Sequence, residues 1–426
     1  MCSSLYLSSE TYSRGRGVHL VFVGGPLYWI ASGPAAQPEK GSQLRRFGSA
    51  MQASTISIER RMDKHTSDEF RFGIEAEFIL TDAASSRPLW YRDLRFQTLN
   101  DVFESISLDG MPPLGGLALE PPHRKLMPFS VEGYHVPAPG NRAVDILPKG
   151  IEIRTPICST ISECLTCLKC LYDRVESALF NSGYRLASLS HHPTEFEFEA
   201  PCHGRPPVRC KWAKLAMTTY GPDISVSLPP NLNARLNVED LHAKVNCYAP
   251  AVIALTLASP LYKGDLWRIA GQVGKSIRTH HRSAIAPTLR VLPQQHGRLE
   301  FKSFEATNRI DDFHAYLLLW LTILLDDGLV GRASEPSRID DMRAVSRDGL
   351  ETVGIRQRAE EVVERASAVL PRYGFDPTPL HNFRERLNTG QLPCDEITAC
   401  FRDTGSLADV LRYRSGLVCA SKGSHR

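Results

Sequence analysis

Apolar and polar residues alternate with a period of two across residues 70–81, FRFGIEAEFILT, which predicts a half-buried β-strand. Residues 150–156, GIEIRTP, repeat that alternation and predict a second strand. Between residues 160 and 182 the apolar positions recur every three or four residues, the spacing of a helix face. Ser159 or Thr160 is its expected N-cap and Gly183 its stop. Further strands are predicted at 184–190, 223–228 and 298–305, and a helix at 238–258 that Ser259-Pro260 ends. Residues 311–329 are apolar on every side, so that helix belongs in the core. From about residue 336 the chain is helical and polar. Strands and helices do not alternate regularly, so the predicted fold class is α+β with an antiparallel sheet rather than a doubly wound one.

Two stretches break the pattern. Residues 110–148 hold eight prolines and several glycines and are expected to form a long loop or insertion. Residues 1–68 are rich in Ser, Gly and Arg without a period, and are expected to be a disordered or dispensable extension before a catalytic domain at 69–426. Residues 18–31 follow Arg14 and Arg16 and faintly resemble a signal peptide, but Gly24, Gly25 and Pro26 interrupt them. The plainer reading is a leader or translated upstream sequence, with Met51 or Met62 as the start. No run reaches the ~18 apolar residues of a membrane span, so no membrane partner is expected.

Composition narrows the function classes. The 426 residues are 42% hydrophobic and 23% charged, the balance of a soluble globular protein. The net charge of +3 is small and its Lys and Arg are scattered, which argues against a nucleic-acid surface. Eleven cysteines, an odd number in a long chain, suit reduced thiols and a cytoplasmic location. Cys164, Cys167 and Cys170 drift round a helix and suit packing better than tetrahedral metal binding, with Cys158 just before them. His191-His192 is expected in a turn, and His280-His281 as a surface pair, with the pocket as the alternative.

The chemistry lies in carboxylates on the strands. Glu75 and Glu77 are two apart on one strand and share a face. Glu152 stands between Ile151 and Ile153, and Glu300 between Leu299 and Phe301 with Lys302 on Glu300's face. Acids aimed from several strands at one surface need a positive partner, and Mg²⁺ prefers carboxylate and phosphate oxygens. Against this stands the ordinary alternative that each glutamate lies on a solvated face.

These segments resemble the glutamate–cysteine ligase family, especially its bacterial carboxylate–amine ligase branch, from about Gly73 to Leu329 and in the family's order. GIEAEF at 73–78 is similar to the opening G-x-E-x-E strand, and GIEIRTPI at 150–157 to the E-[LIF]-x-T-P strand. The resemblance implies a glutamine synthetase-like fold, a curved and mainly antiparallel sheet with helices on one face. It also implies Mg²⁺ held by Glu75, Glu77, Glu152 and Glu300, with Asp145 where some members carry an acidic ligand. Ala258-Ser259-Pro260 and Gly264 resemble an A-x-S-P-x-x-G signature with shifted spacing. Ser276 and Arg278 resemble an S-x-R segment facing phosphate or substrate. In two places the sequence departs from the family: Asp223 stands for the usual His and can still ligate Mg²⁺, and Lys302 stands for the usual Arg.

The implied reaction phosphorylates a carboxylate with ATP and lets an amine attack the acyl phosphate, by default joining glutamate to cysteine for glutathione biosynthesis. Arg278 and Lys302 would steady the transferring group, and Arg154 and Arg282 would bind the amino-acid substrates. The partners expected are ATP and small amino acids, and a homo-oligomer is left open. Three alternatives stand beside this reading: a ligase for another amine in specialised biosynthesis, a guanidino phosphotransferase-like enzyme, and a non-catalytic nucleotide-binding protein of the same fold.

Overall fold

The structure is a computed structural model that describes residues 69–137, 143–199, 201 and 207–419. The expectations about residues 1–68 lie outside the described residues.

The main sheet is built from β1 (Arg71–Asp82), β2 (Phe129–Pro137), β3 (Ala143–Arg154), β4 (Tyr184–Ala187) and β5 (Asp223–Ser227). Two minimal hairpins follow, β6 (Leu261–Tyr262) with β7 (Asp265–Leu266) and β8 (Arg268–Ile269) with β9 (Gln272–Val273). Then β10 (Leu289–Leu292) and β11 (Arg298–Phe301) rejoin the sheet. Its order is β10-β11-β5-β1-β3-β2, with β4 on the far end of β1, and every pairing is antiparallel.

Alternation gives the sheet two unlike faces. Phe72, Ile74, Ala76 and Phe78 of β1, Ile151 and Ile153 of β3, Ile224 and Val226 of β5, and Leu299 and Phe301 of β11 are buried in one continuous core. Helices α1 (Phe96–Glu104), α2 (Ile161–Asn181), α5 (Val238–Ala254) and α7 (Ile310–Leu325) pack against this apolar side. The charged residues of the same strands are left on the other side.

The predicted α2 starts where its sequence says. The Thr160 hydroxyl caps it by accepting from the Glu163 amide at 3.0 Å, and Gly183 follows its end with φ of 87°. Cys158, Cys164 and Cys167 are buried in the core as packing groups. Eight described cysteines are free, whereas Cys210 is disulfide-bonded, which departs from the all-reduced expectation. The core helix α7 is tied to β11, with Trp320 Nε1 donating to the Leu299 carbonyl at 3.1 Å.

Residues 110–148 are not all loop: β2 and the start of β3 arise from their second half. The strand pattern there is Phe129 and Val131 inward, Ser130 outward, and it breaks at Gly133. The register shifts between Glu132 and Gly133, and a Cβ on Gly133 would meet the Leu147 carbonyl oxygen at 2.1 Å. Of the described prolines, Pro112, Pro113, Pro121, Pro122 and Pro128 precede β2, Pro137 is its last residue, and Pro148 lies beside this irregularity. Helix α5 carries Pro250 and stops at Ala254, not at 258. The short helices α3 (Pro207–Ala216), α4 (Pro230–Asn233) and α6 (Ile277–Arg282) lie between the strands in sequence. The last part is helical: α8 (Glu335–Asp348), α9 (Ile355–Val369), α10 (His381–Thr389), α11 (Pro393–Thr404) and α12 (Leu407–Tyr413). Among the described residues no helix is long and apolar enough to cross a membrane.

Candidate active site

Directly opposed residues in adjacent strands point the same way, so the register itself assembles the site. Glu75 of β1 faces Asp223 of β5 on one side and Arg154 of β3 on the other. Glu77 faces Glu152, and Glu300 of β11 faces Ser225 of β5 and Arg290 of β10. Glu75, Glu77, Glu152, Asp223 and Glu300 therefore share the charged face.

Three of these acids converge. Glu75, Asp223 and Glu300 each offer an oxygen within 4.8 Å of the others. Three cations surround them. Arg298 Nη1 is 3.1 Å from Glu75 and its Nη2 3.4 Å from Glu300, Arg290 is 3.5 Å from Glu300, and Lys302 pairs with Asp223 and, at 3.1 Å, with Glu300. Burial and the neighbouring Glu300 push the Glu75 carboxyl above its ordinary range, although Arg298 opposes them. Burial works against the Lys302 ammonium, but Asp223 and Glu300 outweigh it and hold the charge more firmly than usual.

Glu300 has no exposed surface, and its Oε1 accepts no hydrogen bond among the described residues. A buried carboxylate oxygen that accepts no hydrogen bond, with Arg298 Nη2 3.4 Å away and two converging acids beside it, fits a hard divalent cation, which takes oxygen ligands.

Glu152 lies one strand over, 3.7 Å from Arg154 and 3.5 Å from the Ser130 hydroxyl. Burial, then Glu75 and Glu132, raise its pKa well above the usual carboxylate range. Glu77 is on the face but engaged: Lys149 donates to Oε1 at 2.9 Å and the Gly221 amide to Oε2 at 3.1 Å. Asp145 is not brought into the group. It is exposed, its Oδ1 accepts from the Ile146 amide at 2.8 Å, and seven residues of strand separate it from Glu152, about 23 Å at about 3.3 Å per residue.

The cations assigned from sequence are placed differently from one another. Arg278 is buried and committed to backbone, donating to the Ser303 carbonyl at 3.1 Å and the Lys302 carbonyl at 3.5 Å. It thereby holds the end of β11 that carries Lys302. Gly221 makes room for it, since a Cβ there would lie 2.2 Å from Arg278 Nη2. Arg282, one turn on, reaches the Thr219 hydroxyl at 3.4 Å and the Trp212 ring; burial and Arg278 lower its pKa to about 10. Arg154 donates to the Met127 carbonyl at 3.1 Å and borders a narrow slot with His123, Glu132 and His135 that has room for about one water-sized group.

Ser276 is buried and engaged with protein groups. It caps α6 and donates to the buried Glu305, which also accepts from Thr279 Oγ1 at 2.7 Å, the Ala258 amide at 2.8 Å and Ser259 Oγ at 2.9 Å. His280 and His281 are half-buried, not a surface pair. His281 packs against His191 and Tyr262, and burial with His280 lowers its pKa to about 4.

Several residues of the site were not found from the sequence. Arg298 was legible, being two before Glu300 and so on its face. Glu132 was legible from the alternation of Phe129 and Val131, but the prolines around it hid the strand. Arg290, Glu305 and Lys149 carry no local signal.

The sequence profile of glutamate-cysteine ligase family 2 matches residues 71–284, half of the 426-residue chain. A Rubrobacter xylanophilus protein provisionally named glutamate–cysteine ligase 2-3 is 29% identical over 153 residues, 35% of this chain and 41% of that relative. The chain thus matches less than half the length of that relative. Glutamate–cysteine ligase from Francisella tularensis, solved in complex with AMP, superposes with a TM-score of 0.56 at 10% identity, covering 82% of this chain and 89% of that one. The bifunctional glutathione synthetase from Pasteurella multocida gives a TM-score of 0.51 at 14% identity, over 82% of this chain and 52% of that one. At such identities the likeness is one of fold: α+β, with a curved, mainly antiparallel sheet and helices on one face, the glutamine synthetase-like arrangement.

Proposed function

This chain belongs to glutamate-cysteine ligase family 2, and from that premise we propose that it is a cytoplasmic, ATP- and Mg²⁺-dependent carboxylate–amine ligase that joins glutamate to an amine, with cysteine the default. The observation that carries the reading is the convergence of Glu75, Asp223 and Glu300 from three adjacent strands, ringed by Arg290, Arg298 and Lys302.

The division of labour follows from charge. The three acids would hold the metal, with Glu152 beside them and Glu77 and Asp145 further off. When bound, Mg²⁺ neutralises the triphosphate and orients it. Lys302, Arg298 and Arg290 stand around the same point, where they would stabilise negative charge on the phosphoryl group in transit. The substrate carboxylate takes the γ-phosphoryl group and ADP departs. The amine nitrogen then attacks the acyl carbon, a C–N bond forms, and inorganic phosphate and a proton leave. Arg278 would act indirectly, by fixing the β11 end, and Arg154 and Arg282 would bind the substrate carboxylates.

The test is incubation with ATP, Mg²⁺, glutamate and a panel of amines, measuring ADP release and product mass. A new amide, with carboxylate ¹⁸O in the released phosphate, is expected. Glu75→Gln should lower kcat by about a hundredfold or more while the fold stays intact. Near-normal turnover in that variant removes the metal assignment. A stable phosphoguanidine would point to a phosphotransferase, and nucleotide binding without turnover to a regulatory protein.

A further inference from the structure

The pairing of β3 with β2 slips between Glu132, opposite Gly150, and Gly133, opposite Pro148, so Lys149 is the residue left over. An irregularity of this kind re-aims a side chain, and here it turns Lys149 onto the charged face, beside Glu77. The side chain is 3% exposed. Its Nζ donates to Glu77 Oε1 at 2.9 Å, to the Ala216 carbonyl at 3.1 Å and to the Thr219 carbonyl at 2.9 Å. An ammonium has three N–H groups, and all three are used. The Tyr220 ring lies 5.1 Å from the Nζ, and Tyr220 itself donates to the Lys149 carbonyl at 2.7 Å. Glu77's other oxygen is taken by the Gly221 amide.

We infer that Lys149 is a built-in cation that neutralises and immobilises Glu77, so that Glu77 is a fixed wall of the site and not a metal ligand, and a divalent metal is held on the Glu75–Asp223–Glu300 side. The inference rests on the metal-dependent reading above and revises its ligand set. The contrast with Lys302 supports it. Among the described residues Lys302 Nζ pairs with the carboxylates Asp223 and Glu300, and it is 14% exposed, so a metal and a phosphate can together replace both of these partners. Lys149 also satisfies two backbone carbonyls of the 216–219 turn. A metal arriving at Glu77 would set a second cation against a buried ammonium that these two carbonyls hold in place, and expelling the ammonium would leave the carbonyls without a donor, so either outcome is expensive. The cation therefore stays, and Glu77 stays with it.

The experiment is Mn²⁺ binding to the full chain, followed by the loss of the free-ion EPR signal, with and without a non-hydrolysable ATP analogue. Glu75→Gln and Glu300→Gln should each weaken Mn²⁺ by about tenfold or more, and Glu77→Gln by less than about twofold. Lys149→Met, by freeing Glu77 beside Glu132 and Glu152, should add a second titratable Mn²⁺ per chain. A loss in Glu77→Gln equal to that in Glu75→Gln overturns the inference and leaves the ligase reading standing. That comparison decides even where Lys149→Met does not fold. Wild-type protein that takes up no Mn²⁺ under either condition overturns both.

Discussion

Glu305 has no exposed surface, yet four neutral donors from two segments meet on its carboxylate. It joins the Ala258–Ser259 turn and the first turn of α6 to the chain just beyond β11. It thus sets where Arg278 and Arg282 stand. Glu305→Ala should destabilise by about 3 kcal/mol or more, because it strands several buried donors. Glu305→Gln should cost about 1 kcal/mol, since the Ser and Thr hydroxyls can turn round and accept from its amide. Urea unfolding of both variants checks the order, and equal losses would mean that volume, not the donor network, matters there. Little of this was legible in the chain. Glu75, Glu77, Glu152 and Glu300 stand out because alternation fixes the face of a strand residue locally. Glu305 and Lys149 lie in no such pattern, and the hydrogen-bond partners of their side chains are 26 to 72 residues away.

Elements declare themselves where one physical signal dominates. Helix α2 has an apolar stripe, a capping Thr160 and a Gly183 stop, and its observed bounds fall within one residue of the pattern. Thr160 is exposed, so Thr160→Ala removes the cap and little else. It should lower unfolding stability by about 1 kcal/mol with activity unchanged, as read from denaturant titration beside the ligase assay. A loss well above that would mean that Thr160 carries more than a cap. The stretch at 110–148 shows the opposite case. Its prolines and glycines signal a loop, while Phe129, Ser130, Val131 and Glu132 signal a strand over too few residues to prevail. The strand forms because β3 offers it a full ladder of partners. A partner strand is a non-local fact that no short window contains. The same holds for the break at Gly133, which brings Lys149 to the face where alternation alone would not have placed it.

Across the whole molecule, buried carboxyls on the charged face and buried histidines elsewhere make stability depend on pH in two opposed ways. Burial, partly offset by Lys149, pushes the Glu132 carboxyl up to about 8, and Glu75 and Glu152 are raised as well. A carboxyl with a raised folded pKa binds its proton more tightly folded than unfolded, so stability falls as pH rises from about 4.5 toward 8. Burial lowers His191 to about 3, and His192 and His281 to about 4, so these cost stability as pH falls below about 6.5. Metal-free protein should melt highest between those limits. Glu132→Gln should melt above wild type at pH 8, and the gap should close by pH 5. A gap of equal size at both pH values would show that Glu132 is not titrating in the fold. The sequence by itself determined the sheet's two faces, the capped helix, the buried α7 and the strand glutamates, because each rests on a period or a cap read within a few residues. Only the tertiary structure decided which acids meet, that Asp145 stands apart, that Glu77 is held by Lys149, and that Arg278 grips backbone. Those outcomes depend on strand order, register and one local slip in pairing, which are set by contacts between segments far apart along the chain.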